Sequence, residues 1–521
     1  MDYGLLSLLP PLVAIVLAIA LRQVIVPLGL AILIGAMILS GFDRGLGSFV
    51  TGTIVGFSSA IWTSITDADH VRALIFSLSL GAMVGVLEAG GGMVAIVNRL
   101  AQRIRTRRGA QTLIASLGLS IFFDDYANTL LVGGTMRSTA DRFGISRAKL
   151  AYLVDTTSAP VAGLSPVSTW VVTEISYVAA GLAAASIVDV SAFSLLMSSL
   201  PYRFYPWLAL VMVFAIALSD RDFGAMHDQQ LPRPRVEDGG GATAQVTPPA
   251  RLAWAAIVPI LGCLATVMIS LSLTGGGKGI EDFSSLRRLG SIISNGDSYG
   301  ALINGGLFGL STAIVLHWFL GRIPLKKLGR GAVAGAAHML PAMLILWLAW
   351  ALSDQTSVKQ LNTGGVIANW LGNRVPPVML PTAVFAVSSG IAFATGTSWG
   401  TMAILTPISM HLAISISHGQ PYDAIALATL GSVLAGAIFG DHCSPISDTT
   451  VLSSRASGCD HMTHVRTQLP YAVTVGLISI LAGTIPTAIG ISPYLCLFIG
   501  GLATVLMVRL LGKKPPPLIG V

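Results

Sequence analysis

Long apolar runs follow one another along the chain, separated by short polar loops, and their lengths suit helices rather than strands. In the first half, spans are predicted near Leu5–Leu21, Val24–Leu39 and Val71–Ala89. A basic loop with Arg99, Arg103, Arg105, Arg107 and Arg108 follows. The next run, Ala110–Met136, is interrupted at its middle by Asp124-Asp125-Tyr126-Ala127-Asn128 and trailed by Arg137, Arg142, Arg147 and Lys149. Basic clusters on both flanks predict a re-entrant hairpin with a polar tip, because a single crossing would place one cluster outside. Leu150–Ala180 is broken at Ala159-Pro160 and Ser165-Pro166, and Phe193–Leu218 closes the half. Gly45–Ile65 fits no clean span and reads as an amphipathic or interfacial segment.

Ser219–Arg251 is polar, Pro/Gly-rich and mixed in charge, which predicts a flexible cytoplasmic linker. Beyond it the plan repeats upside down. Leu252–Leu273 leaves the cytoplasm, Tyr299–Leu320 returns to the basic loop Arg322–Arg330, and Gly331–Leu352 goes out again. Pro381–Ile414, with Ala394-Thr395-Gly396-Thr397-Ser398-Trp399-Gly400 at its centre, is the expected counterpart of the aspartate hairpin, entering from the other side. Ala424–Leu452 carries a second broken helix, and Val473–Ile489 and Tyr494–Leu511 close the chain. The expected architecture is an all-α polytopic membrane protein of two inverted repeats, with re-entrant hairpins and broken transmembrane helices. Residues 1–219 would form the first repeat, 220–250 the linker, 251–490 the second repeat and 491–521 an extra C-terminal helix and tail. The N-terminus would lie outside and the C-terminus in the cytoplasm, in a bacterial inner (plasma) membrane.

Composition sharpens this picture. The chain is 53% hydrophobic and only 11% charged, against about 25% charged in soluble domains. Its net charge of +7 sits in short loops, so it marks cytoplasmic faces and not nucleic-acid binding. The partners expected are the lipid bilayer, sodium and protons. The four cysteines are scattered at spacings that suggest neither disulfides nor zinc. Leu5–Leu21 is too long for a signal-peptide core and lacks a small-residue cleavage site, so it reads as a retained helix.

Two stretches answer each other across the halves. One holds Asp155, Thr156, Thr157 and then Ser165-Pro166-Val167-Ser168-Thr169; the other is Asp441-His442-Cys443-Ser444-Pro445-Ile446-Ser447-Asp448-Thr449. Polar residues beside proline inside apolar spans are costly in lipid and persist where they line a cavity for ions or polar solutes. A matched pair marks a transporter whose broken helices meet near the midplane. Carboxylate, amide and hydroxyl oxygens are hard ligands. Asp125, Asp441 and Asp448, with Asp124 and Asp155, are the candidate titrating groups. Asn128, Thr129, Ser165, Ser168, Thr395, Thr397, Ser398, Ser444, Ser447 and Thr449 are the candidate neutral ligands. Sodium would sit at Asp441, Ser444, Asp448, Thr397 and Ser398. Glu88 and Glu174 are secondary candidates, each equally readable as interfacial. His442 reads as a proton-responsive neighbour, while His317, His338 and His411 read as packing residues in apolar surroundings. No arginine or lysine is expected near the broken segments, which favours a bare cation over an anionic substrate.

Gly440-Asp441-His442-Cys443-Ser444-Pro445-Ile446-Ser447-Asp448-Thr449-Thr450 resembles the signature of the NhaC family of sodium/proton antiporters. Ala394–Thr401 and Leu348-Ala349-Trp350-Ala351 resemble stretches of the same family. The resemblance implies inverted repeats with hairpins, a homodimer as the oligomer, and sodium/proton exchange. It implies no cofactor beyond the transported sodium ion and proton.

Sodium/proton antiport is thus the first expectation. The alternative is a sodium- or proton-coupled carrier of a small organic acid or amino acid. An intramembrane enzyme built on Asp441-His442 leaves the duplicated motif without a role, and a passive channel makes poor use of broken helices that enclose carboxylates.

Overall fold

The computed structural model describes residues 3–41, 45–229, 249, 251–276, 292, 296–371 and 376–514. Most of the expected linker lies outside the described residues. Three apolar helices open the chain: α1 (Leu9–Leu21), α2 (Ile25–Ser40) and α3 (Leu46–Thr66). Next come α4 (Ala68–Gly90) and α5 (Gly92–Ala101), one rod bent at Gly91, whose φ of 73° suits glycine. Helices α6 (Arg107–Ser120) and α7 (Asp125–Arg142) form hairpin 1. Broken helix 1 consists of α8 (Arg147–Thr156) and α9 (Thr169–Ala184), and α10 (Phe204–Ser219) follows.

The second half opens with α11 (Leu252–Thr274) and α12 (Ser298–Gly321). A second bent rod, α13 (Leu325–His338) with α14 (Leu340–Thr356), and a short α15 (Thr363–Leu371) come next. Hairpin 2 is α16 (Leu380–Thr395) and α17 (Ser398–Ile416). Broken helix 2 is α18 (Ala424–Cys443) and α19 (Asp448–Ser457), followed by α20 (His461–Ile478) and α21 (Pro493–Leu511). Both halves therefore run bent rod, hairpin, broken helix, long helix. Among the described residues, eleven helices are long and apolar enough to cross a membrane.

The basic clusters gather at one end of the molecule. Arg107 donates to the Gly144 carbonyl at 3.0 Å and Arg142 to the Ile104 carbonyl at 3.4 Å, so both feet of hairpin 1 stand together. Arg137 reaches the carbonyls of Arg455 and Ala456 at 2.6 Å, and Arg147 that of Ser457 at 3.0 Å. These guanidinium groups satisfy the open C-terminal carbonyls of α19, where the helix dipole favours cations. The N-terminal segment lies elsewhere: Thr363 donates to the Ser7 carbonyl at 2.8 Å, and neighbouring Gly364 abuts His411 near the foot of hairpin 2. The two hairpins thus enter from opposite ends.

Three expectations change. Gly45–Ile65 is part of a continuous 21-residue helix, α3, packed on α2 and α14; its scattered Ser and Thr residues bond to their own preceding turns, for example Thr63 to the Ser59 carbonyl at 2.7 Å. The described start of the linker, Asp220–Gln229, is packed: Asp222 is buried and its backbone exchanges two hydrogen bonds with Lys513 at 3.0 and 2.9 Å. The helix expected from Val473 begins at His461, because its first turns bury polar residues against protein.

The halves interlock. Helix α12 packs on α4 of the other half, and α2 and α3 pack on α14. The two bent rods cross through glycines. A Cβ on Gly85 would lie 2.1 Å from the Gly331 oxygen, and one on Gly335 2.1 Å from the Gly81 oxygen. Small residues four apart allow this backbone approach, which is how membrane helices gain dispersion contact. Gly335→Val should therefore cost about 3 kcal/mol or more through overpacking, read as loss of the monodisperse detergent-extracted protein. Gly134→Ala, where an added Cβ meets nothing within 4 Å, should leave it intact; equal behaviour of the two would contradict the crossing.

Candidate functional site

Four half-helices start at the centre of the molecule, each capped by a side chain. The Asp124 carboxylate accepts the Ala127 N–H at 2.7 Å on α7. Thr397 accepts from Gly400 at 3.3 Å on α17. Ser168 accepts from Trp170 and Val171 at 3.2 and 3.1 Å on α9, and Ser447 accepts from Thr450 at 3.4 Å on α19. The caps are related in pairs, Asp124 with Thr397 and Ser168 with Ser447. The residue after each cap is Asp125, Ser398, Thr169 and Asp448 respectively. The Ser-Pro motifs also align Asp441 with Ala162. Carboxylates therefore occupy the hairpin in one half and the broken helix in the other, and all four face the same region.

Tyr126, at the tip of hairpin 1, ties that region together. Its hydroxyl donates to Asp448 Oδ2, and Asp125, Asp441 and Asp448 all lie within its electrostatic range. Both Asp125 oxygens and Asp441 Oδ1 are buried and make no well-formed hydrogen bond, the Trp170 indole N–H being the donor nearest Asp125. The other Asp441 oxygen accepts from Ser398 at 2.8 Å and Thr449 at 3.4 Å. Asp448 borders open space while protein surrounds it on most sides. Glu88, also open, lies near Asp124. Beside the cluster a void of about 10 Å³ is lined by Thr169, Thr173, Met339 and Trp399 among others, room for about one water.

Most of the anticipated neutral ligands hold backbone. Asn128 donates to the carbonyls of Gly118 and Thr157 at 2.7 Å and Ile121 at 3.3 Å, leaving its own oxygen unpartnered. Ser444 donates to Phe393 O at 2.7 Å, Thr395 to Ile391 O at 2.8 Å, Ser168 to Ala162 O at 2.8 Å and Ser165 to Val167 O at 2.9 Å. Thr129 is buried behind the hairpin tip. Among the described residues, no trio of His, Cys, Asp or Glu converges as a metal centre would; a sodium ion here would draw on hydroxyl and carbonyl oxygens too.

Asp155 sits apart from the cluster in a knot of donors. It accepts from Gln468 at 2.7 Å, Ser453 at 3.1 Å, Thr450 at 3.3 Å and, at 3.2 Å, faces His464 Nε2. His442 contacts Tyr205 at 2.6 Å and Thr156 at 3.0 Å. The knot staples α8 to α19 and α20, that is, one half to the other.

The comparisons with known proteins agree with this geometry. A model described as the Na+/H+ antiporter family matches residues 161–485, more than half of the chain. The chain belongs to the Na+/H+ antiporter family. It is a membrane-spanning secondary transporter of the antiporter kind, not an enzyme. An uncharacterized protein of Haemophilus influenzae is 33% identical over 90% of this chain and 88% of its own. The malate-2H(+)/Na(+)-lactate antiporter of Bacillus subtilis is 30% identical over 34% of this chain and 37% of its own. The arginine/ornithine antiporter ArcD of Halobacterium salinarum is 37% identical over 20% of each. The solved YdaH transporter of Alcanivorax borkumensis shares the fold, with TM-score 0.60 at 14% identity, covering 92% of this chain and 99% of that one.

Against that family background, two expectations need correcting. Arg203 is buried beside broken helix 1, donating to the Gly163 carbonyl and pairing with Glu174 at 2.8 Å; a cation does lie at the break, brought from 40 residues away by the start of α10. Glu174 is accordingly a buried ion-pair partner and not interfacial. His338 does not pack in apolar surroundings but is exposed and meets the Tyr126 ring edge-on, with centroids 4.6 Å apart. His317 is buried against Gly90 and Gly92, as a packing residue would be, and His411 is buried against Gly364. Tyr126, Tyr205, His464 and Gln468 are single polar residues in apolar or loop-like sequence and carry no spacing signal.

The contrast between the two kinds of aspartate is testable. Asp155→Asn puts an amide N–H₂ among donors and should cost about 2–4 kcal/mol of stability. Asp125→Asn, which breaks no well-formed hydrogen bond, should leave the melting temperature in detergent nearly unchanged. Equal melting of both variants would show that the knot does not hold the halves.

Proposed function

We propose that this transporter exchanges sodium for protons at Asp125, Asp441 and Asp448. The observation that carries this reading is the set of buried carboxylate oxygens on Asp125 and Asp441 that make no well-formed hydrogen bond. A desolvated carboxylate cannot stay ionised alone; it needs a proton or a cation. Alternation between the two, at a site reached from one side at a time, couples their opposite movement. Ser398 and Thr449 supply hydroxyl oxygens beside Asp441. Asp448, bordering open space, is the group through which ions would enter. The basic end, with hairpin 1 and the C-terminal Lys513, would face the cytoplasm, and the N-terminus would lie outside.

A second reading has one observation in its favour. Four half-helix N-termini point at the centre, and such termini bind anions. Relatives are named for malate, lactate, arginine and ornithine, so a small organic acid or amino acid would be the co-substrate here.

Liposomes containing purified protein and a pH dye separate the readings. Under the first, a sodium pulse alone moves protons. Asp125→Asn, Asp441→Asn and Asp448→Asn should each insert normally yet lower this exchange at least about tenfold, since an amide cannot exchange its protons for sodium. Because protons compete with sodium, the apparent sodium constant should rise as pH falls, by up to about tenfold per unit per displaced proton. Near-normal exchange by Asp448→Asn would remove it from the site. Proton movement only when malate, lactate, arginine or ornithine is present would establish the second reading instead.

A further inference from the structure

Helix α10 is apolar along its whole length and packs between α6 and α21. On the outer surface these three helices leave a groove of about 620 Å³. Leu119 of α6, Trp207, Phe214 and Leu218 of α10 and Val505 of α21 line it, and Ser219 and Arg509 stand at its basic end. Leu119, Trp207 and Leu218 are 40%, 39% and 58% exposed, and α21 is long and apolar enough to cross a membrane, so the groove opens to lipid. From Trp207 to Ser219 it follows α10 for about 18 Å, while the hydrocarbon of one leaflet is about 15 Å deep. The groove is therefore as long as one lipid tail. Trp207 donates its indole N–H to the Leu200 carbonyl at 3.0 Å, and Ser219 its hydroxyl to the Ala215 carbonyl at 2.6 Å. Among the lining side chains, Arg509 alone is left to donate to a ligand.

Positive charge at that end is in surplus. Arg509 is exposed, and its guanidinium has no partner among the described residues. Arg221 reaches the carbonyls of Arg509 and Gly512 at 3.3 and 2.9 Å, which fixes a second guanidinium beside it. Lys513 and Lys514 follow, both exposed. The neighbouring carboxylates are engaged from inside. Asp220 accepts from Arg107 at 3.1 Å and Gln111 at 2.6 Å, and Asp222 from Lys149 at 2.8 Å and Tyr471 at 2.9 Å. An apolar groove one tail long, with unbalanced cations at its rim, is complementary to one kind of molecule. We propose that this groove binds an anionic phospholipid, with an acyl chain along α10 and the phosphate at Arg509, Lys513 and Lys514. A zwitterionic lipid brings its own cation to the same rim and gains less. Leu119 lies at the end of α6, next to the tip of hairpin 1 that carries Asp124 and Asp125. A lipid tail seated there holds hairpin 1 against α10 from outside. The site stands whichever solute the transporter moves.

The test is native mass spectrometry, with thermal unfolding as a second readout, on the delipidated full chain in detergent. It is supplied with phosphatidylglycerol or with phosphatidylcholine bearing the same acyl chains. Wild type should bind phosphatidylglycerol at least about tenfold more tightly than phosphatidylcholine and melt higher with it. Arg509→Gln should weaken phosphatidylglycerol about fivefold, the effect of one basic side chain, and leave phosphatidylcholine unchanged. Arg509→Lys keeps the charge and should stay within about twofold of wild type. Ala215→Trp fills the groove without touching the rim and should weaken both lipids. Leu506→Trp adds the same bulk on α21 outside the groove and should weaken neither. Equal affinity of wild type for the two lipids, or unchanged phosphatidylglycerol binding by either Arg509→Gln or Ala215→Trp, would overturn the proposal. So would efficient disulfide cross-linking between copies of Val505→Cys in native membranes, absent from the parent protein, because a second copy of the chain would then occupy the groove.

Discussion

The constraint on which this structure depends is that a backbone inside a bilayer must satisfy its own polar groups. Two hairpins and two broken helices violate the simple helical solution at the centre of the chain, and named side chains repair each violation. Asn128 collects three carbonyls across the tip of hairpin 1 and the end of α8. Ser444 takes the Phe393 carbonyl of hairpin 2, and Gln468 takes that of His442 at 2.7 Å. The Thr169 N–H bonds Phe123 O at 2.9 Å, joining hairpin 1 to broken helix 1. With these bonds made, the breaks are permanent features rather than defects, and they aim four helix N-termini at one place.

That place would be a pure anion site were it not for the carboxylates. Four aspartates face the four termini, arranged as Asp124 and Asp125 on one hairpin and Asp441 and Asp448 on the opposite half's broken helix. Pseudo-symmetric positions carry Thr397, Ser398, Ala162 and Thr169. The exchange of carboxylate for hydroxyl between halves puts both kinds of oxygen on each side of the cluster. The Asp155 knot beside the cluster and the glycine crossing of the bent rods both tie the halves together.

The architecture was legible in the sequence because lipid imposes it: apolar length, basic loops and paired Ser-Pro breaks each have one physical reading. The breaks also single out Asp125, Asp441 and Asp448 in the sequence, and the structure gathers these three around Tyr126. What was not legible depends on which face of a helix meets protein. His464 and Gln468 look like loop residues and are buried against Asp155. Arg203 is remote in sequence from Gly163 yet touches it. Tyr126 and His338 are single residues whose meaning lies wholly in their neighbours. A sequence also cannot show that the Ser444 hydroxyl donates its proton to the Phe393 carbonyl, which leaves its oxygen as an acceptor only.

The central claim is that sodium and protons compete for the same carboxylates, and its most direct measurement is proton release on binding, without any membrane. Purified protein in weakly buffered detergent solution near neutral pH, titrated with sodium against a pH indicator, should release protons in a saturable way. The release should fall with each of Asp125→Asn, Asp441→Asn and Asp448→Asn, and should be absent with potassium if the site is selective. Saturable sodium binding, detected by calorimetry, with no proton release at any pH between 6 and 9 would contradict the account.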